Sequence, residues 1–525
     1  MHNSLYIRDL LRRTNSDPLY VARRDSHRNL MPDPDAEPGP GDFALQGRWR
    51  VQSDGPYGAG EMVRDLEDAL SRLGVTVHRD AEQIVHLVQA ADLPPGAYRL
   101  SLAPHQVRVE GAGAAGLWAG LAQLEREMRV RRGPFLPRAE IVRRARWPVQ
   151  ISQGPWGGNY SVPDFSPEYL SDDAFRLYAH YGVNSMMIYG DMLCYVQSAV
   201  FPELTNKDYA RNIAVLKNAA QRALRYGVRF AYVVVGPKLR ATHPLFERLP
   251  SARGSGVPSR VEDWTIHCLC SSDEACLAFY AETFENLFAQ VPELAGLNLI
   301  IGGESYYHCR MWSRPTARCP RCYAQETEDV VANLVRVTAD AVHRAQPDAF
   351  VNAWPYNTDW WERPDCHELI RRLPSSAGFY DQIDRNQAYQ KDGYVKKIWD
   401  YSVDYIGPSD SIRARAQIVK ERQLDLFVKT ETGIGLEVFQ YPYVPAMQRL
   451  ADKWQSVRSL GPQGVQQSWL FFGMFGSRAE ELALWARYHA DVPRDDFLRA
   501  IAARDFGPEA AEGVLFFDEA DTMFG

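Results

Sequence analysis

The sequence predicts an α/β protein: a closed (β/α)8 TIM barrel, preceded by an α+β domain and followed by a helical extension. Three observations carry this. From Trp147 onward, short apolar runs bounded by turn residues alternate with long helical stretches, the pattern of parallel strands joined by helices. Eight such runs occur, at Val149–Gln153, Asn184–Tyr189, Arg229–Gly236, Leu297–Gly303, Phe350–Trp354, Ala377–Tyr380, Leu426–Thr430 and Val465–Phe472. Eight is the number at which such a sheet closes, over about 250 residues or more with insertions. No glycine-rich phosphate turn follows the first run, as a doubly wound open sheet would show.

The elements before the barrel follow from local pattern. The stretch MPDPDAEPGPG, residues 31–41, is a Pro/Gly linker, and the basic Tyr6–Arg28 precedes it. Glu61–Leu73 has apolar positions at helical spacing, and Ile84–Val88 reads as a strand. Tyr98–Leu102 and Val107–Glu110 alternate across a short connection and predict a hairpin, and Ala114–Met128 follows as an amphipathic helix. Beyond Gly476 the predicted helices are Ala479–His489, Pro493–Phe506 and Gly513–Phe524. The expected division is an N-terminal segment and linker (1–45), an α+β domain (46–146), the barrel (147–476) and a helical C-terminal region (477–525) that packs on the barrel or on a second copy as a homodimer.

Composition narrows the partners. A net charge of −7 gives no electrostatic footprint for nucleic acid, and no apolar run reaches the roughly 18 residues of a membrane span. The N-terminus carries no apolar signal core, so the expected location is cytoplasmic. Aromatics make up 12% of the chain, a supply that suits stacking on sugar rings as well as a large core.

A barrel makes a demand on its strand ends, because the carboxyl ends line the mouth. Polar and aromatic residues do collect there: Trp156 after the first run, Asp191, Lys238, then Glu304-Ser305-Tyr306, Asn352, Trp354 and Tyr356, Tyr380-Asp381, Lys429 with Glu431 and Glu437, and Trp469. Such a mouth is aromatic and acidic and suits a neutral or mildly anionic sugar. The run Leu297–Ser305 (LNLIIGGES) ends in two glycines and a carboxylate, and a charge directly after a buried strand is costly outside a polar cleft. Glu304 is therefore the candidate general acid, and a strand-end Glu held by a neighbouring Arg is the plainer alternative. Glycosidases pair the acid with a second carboxylate, for which Asp381, Glu431 and Glu437 compete. Each of these three also reads as an ion-paired carboxylate. Asp191 is a hydroxyl-binding candidate.

The eight cysteines cluster, which favours reduced thiols or a metal over a disulfide framework. His308, Cys309, Cys319 and Cys322 offer four ligands, enough for a structural tetrahedral zinc, with Cys268 or Cys270 as replacements and a set of reduced, partly buried thiols as the alternative. No HExxH appears, and no cofactor is required for the expected chemistry.

The stretch YRLSLAPHQVRVEGAGAAGLWAGLAQLEREM, leading to GPFLPRAEI and RARWPV, resembles the accessory domain before family 20 β-N-acetylhexosaminidase barrels. The same domain type precedes α-glucuronidase barrels. LIIGGE, residues 299–304, is similar to the hexosaminidase strand bearing a Gly-Asp-Glu signature, and LALWARYHADVPRDDFLRAIAARDFGPEAA resembles the C-terminal region of α-glucuronidases. Together these cover most of the chain from about residue 60. The resemblance implies a glycoside hydrolase that cleaves a terminal sugar from small oligosaccharides or glycosides. The departure lies at Gly303-Glu304-Ser305, where one carboxylate of the adjacent Asp-Glu pair is missing, so acetamide-assisted catalysis would need its orienting charge from another strand. The alternatives are an exo-acting α-glucuronidase using Lys238, Arg240 or Lys429, and a carbohydrate-binding protein on a degenerate barrel.

Overall fold

The structure is a computed structural model that describes residues 33–55, 58–154, 170–257, 266–302, 305–311, 315–356, 365–432, 446–467, 474, 476–513 and 515, apart from 392, 399 and 401. Glu304, Glu437, Trp156 and Trp469 lie outside the described residues.

Eight parallel strands close into a barrel in chain order: strand one Val149–Gln153, two Ser185–Asp191, three Arg229–Val235, four Leu294–Ile300, five Phe350–Trp354, six Gly378–Gln382, seven Leu426–Lys429 and eight Gly464–Gln466, the last pairing back onto the first. Both faces of these strands are covered, which is why they read as continuous apolar runs rather than alternating ones. One set faces inward. Ile151, Met187, Val233, Ile300, Trp354, Tyr380 and Phe427 pack together inside the ring. Gly378 sits where a Cβ would come within 2.4 Å of Asn352 Oδ1, so the lumen admits nothing larger there.

The N-terminal domain is a six-stranded mixed sheet, ordered Thr76–Val77, Arg48–Ser53, Gln83–Gln89, Gln106–Gly111, Tyr98–Ala103 and Ile141–Arg143. The predicted hairpin is present, Tyr98–Ala103 running antiparallel to Gln106–Gly111. The helices Ala59–Arg72 and Gly113–Val130 pack on this sheet, and Gly113–Val130 also packs on the barrel helix Asp172–His180. Thirteen of its residues, Glu125 and Arg129 among them, are buried because it is covered on two sides.

Two antiparallel excursions, absent from the sequence expectation, leave the barrel. One is the three-stranded sheet of Lys238–Arg240, Arg253–Gly256 and Ile266–Leu269 after strand three. The other is the hairpin Gln387–Lys391/Tyr394–Ile398 after strand six. The helix Arg478–Tyr488 is the first described element after strand eight and takes the place of the barrel's last helix, and Arg494–Phe506 packs on it through Phe497 against Trp485 and Arg504 against Glu481. No helix among the described residues is long and apolar enough to cross a membrane.

Candidate active site at the carboxyl ends of the strands

Strand seven carries the most charged group of residues in the lumen. Lys429 follows the inward-facing Phe427 by two positions and therefore shares its face, and its ammonium is buried. Lys429 Nζ lies 3.0 Å from Asp400 Oδ1 and 3.1 Å from Glu431 Oε1. Asp400 returns from the hairpin after strand six, and Arg385 Nη1 stands 3.8 Å from its second oxygen. That hairpin is held at its base by Lys453, whose ammonium bonds Asp384 Oδ2 at 2.8 Å and the carbonyls of Ser402 and Tyr405. A buried cation is costly unless paired, and here two buried carboxylates converge on Lys429.

Glu431 is the carboxylate with the least support. Burial pushes its pKa up to about 8, and Lys429 only partly offsets this. Its Oε2 has no hydrogen-bond partner among the described residues. Burial, then the charges of Glu431 and Asp400, raise the pKa of the Tyr380 phenol, whose hydroxyl bonds Gln466 Oε1 on strand eight. Tyr380 stacks on Trp354 with ring centroids 4.3 Å apart, and Trp354 meets Tyr356 edge-on at 5.2 Å. Tyr356 holds φ at 44°, a left-handed conformation that a bulky residue adopts at a cost and that recurs at functional sites. Gln382, two positions after Tyr380, donates to Tyr356 O at 3.4 Å, and its buried Oε1 has no partner. The arrangement is an aromatic wall facing a buried carboxyl whose pKa burial pushes up to about 8.

On the rim, Asp191 ends strand two, accepts from Leu193 N–H at 2.9 Å, and is pushed up to about 6 by burial. Lys238, past strand three, places its ammonium 4.7 Å from the Tyr307 ring centroid.

Residues 27–142 match the family model described as glycosyl hydrolase family 20, domain 2. The architecture as a whole, an α+β domain before an eight-stranded barrel, is shared with solved glycoside hydrolases of more than one family. The β-N-acetylhexosaminidase of Bacteroides fragilis superposes with a TM-score of 0.55 at 13% identity, over 94% of this chain and 96% of that one. A mutant Streptomyces plicatus β-hexosaminidase in complex with GlcNAc gives 0.51 at 14%, over 94% and 95%. A GH138 enzyme targeting pectin rhamnogalacturonan II gives 0.58 at 10%, over 89% and 68%. No curated protein matches in sequence.

Within this barrel the expected site residues part ways. Lys429, Glu431, Tyr380, Trp354 and Tyr356 come together. Asn352 also faces the lumen, donating to Asn298 Oδ1 at 3.0 Å. Asp381 does not join them. It lies one position from the inward Tyr380, so its side chain points to the helix layer, where Arg415 Nη1 meets Oδ2 at 2.6 Å, both residues buried. Tyr306 is likewise a core residue: its hydroxyl and Thr338 Oγ1 are 2.7 Å apart, and it packs on Tyr280 and Phe284. His308 is no partner of the cysteines, since Nε2 bonds Ile301 O at 2.7 Å and Nδ1 accepts from Arg310 N–H at 3.2 Å. The expectation missed Asp400, Asp384 and Lys453. The one sequence signal was a lysine on the apolar face of the helix Met447–Ser459, beside Leu450, Trp454 and Val457.

Proposed function

We propose that the chain is a glycoside hydrolase that removes a terminal sugar from small oligosaccharides or glycosides. Glu304 serves as general acid and Glu431 as the second carboxylate, now assigned to strand seven because Asp381 is committed to Arg415. The observation that carries the reading is the buried Glu431–Lys429–Asp400 group beside the Trp354/Tyr380 stack, at the end of a barrel strand. Aromatic faces suit the apolar side of a pyranose. Gln382, Lys429 and Asp191 offer hydroxyl partners. The family 20 neighbours act on N-acetylhexosaminides, whereas the lone carboxylate in Gly303-Glu304-Ser305 favours a two-carboxylate mechanism.

The raised pKa of Glu431 supports a second reading, in which Glu431 is the acid and Glu304 its partner. The two are separable with nitrophenyl N-acetylhexosaminides, glucuronides, galactosides and glucosides. Glu304→Gln and Glu431→Gln should each lower kcat on a natural glycoside by about 10²-fold or more. The acid variant recovers on dinitrophenyl glycosides, whose leaving group needs no proton, while the variant of its partner stays inactive on both. Where Glu431 is the acid, wild-type kcat falls as pH rises through about 8. Full activity in both variants would sink the glycosidase reading.

A further inference from the structure

The cysteines that the active-site reading leaves unused converge on one point. Cys270, Cys309, Cys319 and Cys322 come from three separate stretches, yet their sulfurs all lie within 4.8 Å of one another, and all four residues are buried. Cys270 Sγ is 3.7 Å from both Cys319 Sγ and Cys322 Sγ. A tetrahedral zinc with bonds of about 2.3 Å sets its sulfurs about 3.8 Å apart, so these distances are already the edges of such a tetrahedron. All eight cysteines are free thiols.

We propose that these four thiolates bind a structural zinc ion. The ligand set is closed, with no place for water or substrate, which makes the site structural rather than catalytic. The surroundings are built for thiolates. Ser255 N–H points at Cys309 Sγ at 3.4 Å, and Arg321 Nη1 donates to Cys270 Sγ at 3.4 Å while bonding Asp273 Oδ2 at 3.0 Å. Ser272 Oγ lies 3.2 Å from Cys322 Sγ. These contacts orient the ligands and offset the surplus negative charge of four thiolates on a divalent ion. Gly254 lets its strand pass the site, since a Cβ there would lie 2.8 Å from Cys309 Sγ.

Cys268 stands beside the group but not in it. Its Sγ lies 3.9 Å from Cys309 Sγ, yet it is not one of the four sulfurs that lie within 4.8 Å of one another, and it points to Ser255 O at 3.5 Å. The zinc would tie the excursion after strand three to the loop after strand four, five positions downstream of Glu304.

Metal analysis of the purified full chain should find about one zinc per molecule, released by a mercurial that modifies thiols. Cys319→Ser and Cys322→Ser should lose that zinc, and Cys268→Ser should keep it. Cobalt exchanged into the wild-type protein should show thiolate-to-metal charge transfer with the intense visible bands of a tetrahedral centre, a readout that holds even if the serine variants fail to fold. The proposal is overturned by wild-type protein without zinc after zinc supplementation, by iron in its place, by an octahedral cobalt spectrum, or by equal zinc loss in Cys268→Ser and Cys319→Ser. None of these readouts depends on turnover, so they stand apart from the glycosidase test.

Discussion

Asp381 and Glu431 are both buried carboxylates at the ends of neighbouring barrel strands, and their partners send them to different work. Asp381 meets one guanidinium at hydrogen-bonding distance and accepts from Gln382 N–H as well, so both its oxygens are satisfied. Glu431 shares a single ammonium with Asp400. Asp381→Asn should therefore act on stability: it leaves Arg415 buried without a counter-charge, at a cost of roughly 3–5 kcal/mol. The expected result is a large drop in Tm with kcat per folded molecule near wild type, and a kcat collapse at unchanged Tm would return Asp381 to the chemistry. Strand ends were legible from sequence, but which face of each strand met the lumen was not. A strand covered on both sides carries apolar residues on both, so the run GFYDQ holds no alternation by which Tyr380 could be told from Asp381.

At the scale of elements, the join between the N-terminal domain and the barrel rests on a buried ionic group. His180 Nε2, on the barrel helix Asp172–His180, lies 2.7 Å from Asp65 Oδ2 on the helix Ala59–Arg72, and its other nitrogen is 3.9 Å from Glu125 Oε2 on Gly113–Val130. Arg176 and Arg129 add positive charge at 3.6 Å from Asp65 and 3.3 Å from Glu125. Burial alone would lower the imidazole pKa, but the charges of Asp65 and Glu125 outweigh it and the net shift is upward. A group raised in the folded state gives stability that is fully present below its unfolded value of about 6.5 and is lost as pH rises through the raised value. Thermal unfolding should therefore show a Tm that declines with pH above neutrality. His180→Gln should flatten that slope and cost about 1–3 kcal/mol at pH 6; a variant with the wild-type slope would remove His180 from the account. The two N-terminal helices of this join were legible because their apolar spacing is regular. The excursions at 238–269 and 387–398 were not, being short antiparallel strands whose pairing is settled by partners rather than by a period.

At the scale of the molecule, the last barrel helix locks the first strand. Arg487, buried on the helix Arg478–Tyr488, donates to Trp147 O at 3.1 Å, Pro148 O at 2.8 Å and Gly182 O at 2.5 Å. Trp147 itself stacks on Trp454 with centroids 6.1 Å apart and gives its indole N–H to Gln150. The Arg487 contacts span 305 to 340 positions of sequence, so the entropy of closing that loop is lost before they form. A latch of this kind belongs late in folding, after the strands have paired. Arg487→Met should remove a donor from three main-chain carbonyls, of which Pro148 O keeps the Asn184 amide, and cost roughly 3–5 kcal/mol. Because a contact absent from the transition state acts on the unfolding limb, the loss should appear as faster unfolding in urea with refolding nearly unchanged. Slower refolding with an unaltered unfolding rate would mean instead that ring closure nucleates the barrel, and that strands one and eight meet first.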